Sequence, residues 1–335
     1  MPFYYTKFVL FLRYELGGNI EGIVFKIESK DYYVMSGGNL IRCNLPGRFQ
    51  KKFNLKKDKL YNLDIAVVGD KVEFEMNSDN TGTIERIEDR KNYISRKAPR
   101  IKGAGQRGER LEQVIASNVD SVYVVSSTIN PSFNNRFIDR LIVAGESAGV
   151  KVNLIINKTD LGMDEDIDYF AGLYSSLGYK VFLTSALNKK SIKELEGEVE
   201  GKINLFFGQS GVGKSSLLNL LFPGLNHRVG EVSESTSKGK HTTVTSVMNK
   251  VKGETYIIDT PGIREFDPYG VKKEDLGHYF PEIKELAGEC RFNTCTHNHE
   301  PGCMVRSSAE EDKISPERYQ SYLNLLGTIE EGLFF

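Results

Sequence analysis

The chain has 335 residues, of which 39% are apolar and 27% charged, and its formal net charge is −1. That length accommodates two or three domains, each with its own core, in proportions ordinary for a soluble protein. Near-neutrality excludes a globally basic chain, so any contact with nucleic acid has to come from local patches. Three of the four cysteines crowd between Cys290 and Cys303, a clustering that points to a metal site in a reducing compartment rather than a secreted disulfide framework.

The opening stretch MPFYYTKFVLFLRYEL has its longest apolar run at residues 8–12, whereas a membrane span needs about 18 residues or more. Lys7, Arg13 and Glu15 flank the run and no small-residue cleavage site follows, so it reads as an extra leading strand or an over-extended start. A cytoplasmic protein with no membrane association is expected. From about Gly22 to Arg90, the runs GIVFKIE, DYYVMSG, NLIRCNL, DIAVVGDKVEFEM and GTIERIE are rich in β-branched and aromatic residues, with Gly, Asn and Asp between them. They predict a small antiparallel barrel. An OB-fold, whose open face often binds oligonucleotides, is preferred over a barrel with a purely structural task. Cys43 is expected in its core.

Residues 90–110 carry eight Arg or Lys against one Glu, together with Pro99 and three glycines. The composition predicts a basic linker without a regular element. It is either solvated charge or, beside a barrel of this kind, a contact for RNA phosphates through Arg96, Lys97, Arg100 and Lys102. Strands and helices then alternate. SVYVVSS and KVNLIINK read as buried parallel strands, with the helix RFIDRLIVAGESAG between them, and KVFLTSA, KINLFFG, VTSVMNKV and TYIIDTPG follow as strands. This predicts an α/β sheet with helices on both faces. From about Asp267 the chain becomes helical and contains the cysteine cluster.

Within the α/β region, Gly208-Gln209-Ser210-Gly211-Val212-Gly213-Lys214-Ser215-Ser216 follows one strand and opens a helix. This is the context of a phosphate-binding loop: glycines let the backbone curl around the phosphates, and amides at the helix start donate to them. Lys214 is expected to reach the β- and γ-phosphates and Ser215 to supply a hydroxyl to Mg²⁺. The loop alone would also suit an ATP-using enzyme. Asn157-Lys158-Thr159-Asp160 selects guanine, because the Asp160 carboxylate matches the paired N1–H and N2–H donors that adenine lacks. Ser185 and Ala186, after the next strand, supply a small-residue loop for the guanine oxygen. Asp259 is expected to hold Mg²⁺ through water, and the Gly262 amide to sense the γ-phosphate. In the polar stretch SKGKHTTVTS, Thr243, or its neighbour Thr242, would complete the magnesium shell. Ile263 stands where many GTPases carry a water-orienting glutamine, so His241 is the candidate catalytic group beside Lys214, the alternative being a surface histidine.

The guanine motif lies upstream of the phosphate loop, the reverse of the order in ordinary small GTPases. The chain therefore reads as a circularly permuted G domain, with motif order G4-G5-G1-G2-G3. Cys290, Cys295, His297 and Cys303 provide three thiolates and an imidazole, enough to close a tetrahedral structural Zn²⁺ site, with His299 as the alternative to His297. His227 and His278 acquire no role. The expected boundaries are 1–92 for the barrel and leading extension, 93–112 for the basic linker, 113–268 for the G domain and 269–335 for the helical zinc-binding domain.

The series NKTD, TSA, GQSGVGKSS, KGKHTTVTS, DTPGIREF and C-x₄-C-x-H-x₅-C, in this order after a barrel, closely resembles the ribosome-small-subunit-dependent GTPases of the RsgA/YjeQ family from about Gly22 onward. The stretch before about Gly17 matches nothing in that pattern. The resemblance implies a cytoplasmic GTPase that binds the small ribosomal subunit and its rRNA and acts late in its assembly, stimulated by that particle. It also implies one Zn²⁺, Mg²⁺ with GTP, and the histidine of the HTT motif as the suspected catalytic group; a monomer is expected. The competing function is an RNA-binding scaffold in which GTP is a conformational switch with little turnover. Because residues 259–262 run almost directly into the cysteine region, GTP and GDP forms are expected to present different domain orientations.

Overall fold

A computed structural model describes residues 19–49, 65–98, 111–185, 189–225, 246–263 and 265–329. The leading extension, Pro99, Arg100, Lys102, Ala186, His227, His241, Thr242 and Thr243 lie outside the described residues. Five strands, β1 (Ile20–Glu28), β2 (Asp31–Ser36), β3 (Asn39–Asn44), β4 (Lys71–Met76) and β5 (Gly82–Ile87), close a barrel in the order β1-β2-β3-β5-β4. This is the OB connectivity. Its interior is filled by Val24, Val34, Cys43, Val72, Phe74 and Ile84, so Cys43 is a core residue. Burial pushes its thiol up to about 12.

The central sheet runs β10-β9-β8-β11-β13-β12, with β8 (Ser121–Ser127), β9 (Lys151–Asn157), β10 (Lys180–Leu183), β11 (Ile203–Gly208), β12 (Val247–Lys252) and β13 (Thr255–Asp259). Only the β12–β13 pair is antiparallel. The alternation of side chains explains why such strands read as continuous apolar runs. Val122, Val124, Leu205 and Phe207 join the core under α1 (Asn135–Ser147) and α2 (Glu165–Ser176). Tyr123, Val125 and Phe206 face α3 (Lys189–Val199) and α4 (Lys214–Leu221) on the opposite side. The Asn134 side chain caps α1 by accepting from the Phe137 amide at 3.0 Å, and Gly149, at φ +65°, follows its end.

The reading of residues 90–110 as lacking a regular element is corrected at Tyr93–Lys97. β6 (Tyr93–Lys97) pairs antiparallel with β7 (Glu112–Ser117), a strand that the sequence patterns did not reveal. The other edge of β6 meets the segment after β13: the Lys97 amide donates to the Asp267 carbonyl at 2.8 Å, and Arg96 bridges to Pro268. Pairing from both sides makes a charged run into a strand. Arg96 is consequently buried, its guanidinium donating to Gln113 and to the Glu265 carbonyl, so the expected RNA contact through Arg96 is withdrawn. β7 fastens the barrel: the Ser117 amide donates to the Val68 carbonyl at 2.9 Å, and its hydroxyl to Asp70 at 2.6 Å.

The C-terminal unit comprises α5 (Pro281–Ala287), α6 (Met304–Glu310) and α7 (Pro316–Leu326) around a core that includes Val143 of α1. Arg318 of α7 is 1% exposed. It ion-pairs with Asp139 of α1, meets Glu282 of α5 at 2.7 Å and lies over the Phe280 ring at 4.5 Å. Asp139 also accepts from the Tyr174 hydroxyl at 2.7 Å. Removing one partner of such a network strands buried charge, so Arg318→Met is expected to cost about 3–5 kcal/mol. Amide hydrogen exchange of α7 should accelerate correspondingly, and protection equal to that of the parent would contradict this account.

Candidate functional site

β8 leads outward to β9 and β10, and the chain then returns to β11 on the other side of β8. Strand order reverses at that point, and the crevice beyond the carboxyl ends of strands at such a reversal is where open α/β sheets bind ligands. The register places Asn157 opposite Ser127, Gly208 opposite Val125 and Asp259 opposite Phe206. The guanine motif, the phosphate loop and the DTPG segment thus emerge at one edge of the sheet.

Their mutual packing is close. The Asn157 amide group donates to the Val212 carbonyl at 3.0 Å, while its oxygen accepts from the Thr184 hydroxyl at 3.0 Å. Thr159 donates to the Thr184 carbonyl through both its amide, at 3.2 Å, and its hydroxyl, at 3.1 Å. Asp160 is exposed and Ser185 is buried. A Cβ on Gly213 would lie 2.4 Å from the Asn157 amide nitrogen, and φ there is +87°. Only glycine satisfies both constraints. Lys214 is buried, and its ammonium pairs with the Asp259 carboxylate and the Thr260 carbonyl. Gly262 abuts the phosphate loop, where a Cβ would come 2.9 Å from the Ser210 amide nitrogen. Lys214, Ser215 and Ser216 form the first turn of α4, which follows Gln209, Ser210 and Gly211 in the chain. Ile263 is buried in the core.

Cys290, Cys295, His297 and Cys303 place one ligand atom each within 4.8 Å of one another. His297 Nδ1 lies 3.5 Å from Cys290 Sγ and 3.6 Å from Cys303 Sγ, and those two sulfurs are 4.0 Å apart. A tetrahedral ion with bonds of about 2.3 Å to sulfur and 2.0–2.1 Å to nitrogen has S···N edges of about 3.5 Å. The cluster therefore fits a metal ion. His297, not the exposed His299, is the histidine that stands with the three thiols. Burial holds the His297 imidazole below its ordinary pKa, in the neutral ligating form. Burial also pushes the Cys295 thiol up to about 12, with Cys303 and Cys290 adding to the rise, and burial raises the Cys303 thiol as well. The surrounding loop is held by Glu300, which accepts from the Thr296 amide and hydroxyl and from the Asn298 and His299 amides. Burial opposes ionisation of that carboxylate, yet these donors hold its pKa at about 2. Tyr319 and Tyr322 donate to the His297 and Thr296 carbonyls, both at 2.7 Å. Cys303→Ser should release the metal to a colorimetric chelator and open α6 and α7 to protease, with the barrel intact. Unchanged metal content and digestion would contradict a site that organises this unit.

Comparison with known proteins agrees with this arrangement. The RsgA GTPase family model matches residues 87–269 and the RsgA N-terminal domain model residues 21–84. A small ribosomal subunit biogenesis GTPase RsgA 2 of Bacteroides thetaiotaomicron is 38% identical over 319 residues, covering 94% of this chain and 99% of that protein. A small ribosomal subunit biogenesis GTPase RsgA of Phocaeicola vulgatus is 39% identical over 319 residues, with the same coverage. The crystal structure of YjeQ from Thermotoga maritima superposes with a TM-score of 0.69 at 31% identity, covering 92% of this chain and 98% of that one. YloQ, a circularly permuted GTPase, gives 0.64 at 27% identity, covering 92% and 94%. With an OB barrel, a permuted G domain and a metal-binding helical unit in succession, the chain belongs to the RsgA GTPase family and is a GTP hydrolase.

Proposed function

We propose that this GTPase binds the small ribosomal subunit through rRNA, assists its late maturation and is stimulated by it. The observation that carries the reading is the convergence of Asn157, Gly208 and Asp259 on one sheet edge. The relatives' role in small-subunit biogenesis supplies the partner. Asp160 reads the guanine N1–H and N2–H, and the backbone at Ser185 and Ala186 closes on its oxygen. The amides of residues 208–216 cradle the phosphates. The triphosphate replaces Asp259 and the Thr260 carbonyl as partner of the Lys214 ammonium. Ser215, Thr243 and, through water, Asp259 would hold Mg²⁺, and the Gly262 amide would contact the γ-phosphate. Bound with GTP, Mg²⁺ neutralises charge developing on the phosphate oxygens.

With Ile263 turned into the core, His241 is the proposed water-positioning group. The Cys₃His cluster holds one structural Zn²⁺, since thiolates and imidazole suit that ion and four protein ligands leave no open position. Among the described residues no helix is long and apolar enough to cross a membrane, and a monomer in the cytoplasm is the form we envisage. Asp160→Asn tests the nucleotide assignment, because xanthine offers an acceptor where guanine offers N2–H₂. GTP affinity should fall roughly 10- to 100-fold while XTP affinity rises. A variant binding GTP as tightly as the parent, measured by titration calorimetry, would contradict the assignment.

A further inference from the structure

Residues 127–131, the end of β8 and the turn after it, touch both the guanine motif and the phosphate loop, although no motif marks them. The Thr128 amide donates to the Asn157 carbonyl at 3.1 Å, and its hydroxyl donates to the Lys158 carbonyl at 2.9 Å. Lys158 itself has φ +64°, a left-handed conformation that a residue with a Cβ adopts only when its surroundings impose it. Its side chain runs back across the site: its Cε lies 3.7 Å from the Cβ position of Gly213, and its ammonium donates to the Asn130 carbonyl and, at 3.5 Å, to that of Ile129. The turn is fixed in shape, since the Ser127 hydroxyl donates to the Pro131 carbonyl at 2.8 Å. Pro131 approaches Gly211 of the phosphate loop, its Cδ lying 3.5 Å from the Cβ position there. One short turn therefore holds Lys158 at its peptide and at its ammonium, and abuts the phosphate loop as well.

We propose that Thr128 is a positioning residue for the nucleotide: its hydroxyl fixes the Lys158 peptide, so that the lysine stem, tethered at its far end to the carbonyls of the same turn, forms one wall of the purine pocket. The proposal rests on the guanine-nucleotide reading above. It differs from a purely structural role in acting through Lys158, and the two roles separate experimentally.

Binding and release of a fluorescent GDP analogue, with steady-state GTP turnover, would be measured on the full chain and on Thr128→Val, Thr128→Ser, Lys158→Ala and the Thr128→Val/Lys158→Ala double variant. Thr128→Val should raise the GDP dissociation rate and the KM for GTP about tenfold, with kcat falling less than about twofold. Thr128→Ser should restore tight binding. In the Lys158→Ala background, the valine should add less than about twofold, because the side-chain stem it acts through is gone. Parent-like affinity in Thr128→Val, full multiplication of the two effects, or a loss that serine does not restore would overturn the proposal. GDP affinity that survives in the parent but falls fully independently of Lys158 rejects Thr128 alone, whereas a parent chain that binds no GDP rejects the guanine reading itself.

Discussion

Parallel pairing on both sides of β8 is the constraint on which the rest of the molecule depends. Its register with β9 and β11, and that of β11 with β13, brings three separate stretches of chain to the same edge. The strands are buried on both faces, with Tyr123 stacked on Phe206 at 4.8 Å on one side and Phe207 against Phe266 at 5.3 Å on the other. A slip of one residue would exchange these two sets and pull the loops out of alignment. Because the edge is fixed by the core, connectivity is free to vary: the guanine half can precede the phosphate half without altering the site.

The rearranged order has a structural consequence beyond β13. The segment leading away from Gly262 is not a loose tether. Its Phe266 ring is buried, Asp267 meets Arg140 of α1 at 2.6 Å, and its backbone pairs with β6. β6 is bound to β7, and β7 to the barrel, while α1 is bound to the C-terminal unit through Asp139 and Arg318. The expected switch region is thus hydrogen-bonded to neighbours of both flanking domains, more directly than its proximity in sequence to the cysteines implied.

What could be read from the sequence follows the chemistry. Phosphate, guanine and metal binding each demand particular residue types at fixed spacing, so Gly208 to Ser215, Asn157 to Asp160 and the Cys₃His cluster stood out. The buried strands were legible because parallel sheets require continuous apolar runs. Tyr93–Lys97 was not, since a charged pentapeptide becomes a strand only through partners fifteen or more residues away on one side and far downstream on the other. Arg318 was equally silent: arginine is ordinarily a surface residue, and its two carboxylates lie on other helices. Thr128 escaped notice because its partners are backbone carbonyls, which leave no trace in residue type.

The central claim is tested most directly by GTP turnover of the full chain and of His241→Ala, with and without purified small ribosomal subunits, at two salt concentrations. The account predicts slow basal hydrolysis, strong stimulation by small subunits that weakens as salt rises, and loss of the stimulated rate in the histidine variant. Turnover indifferent to the subunit, or equal stimulation of parent and variant, would contradict it.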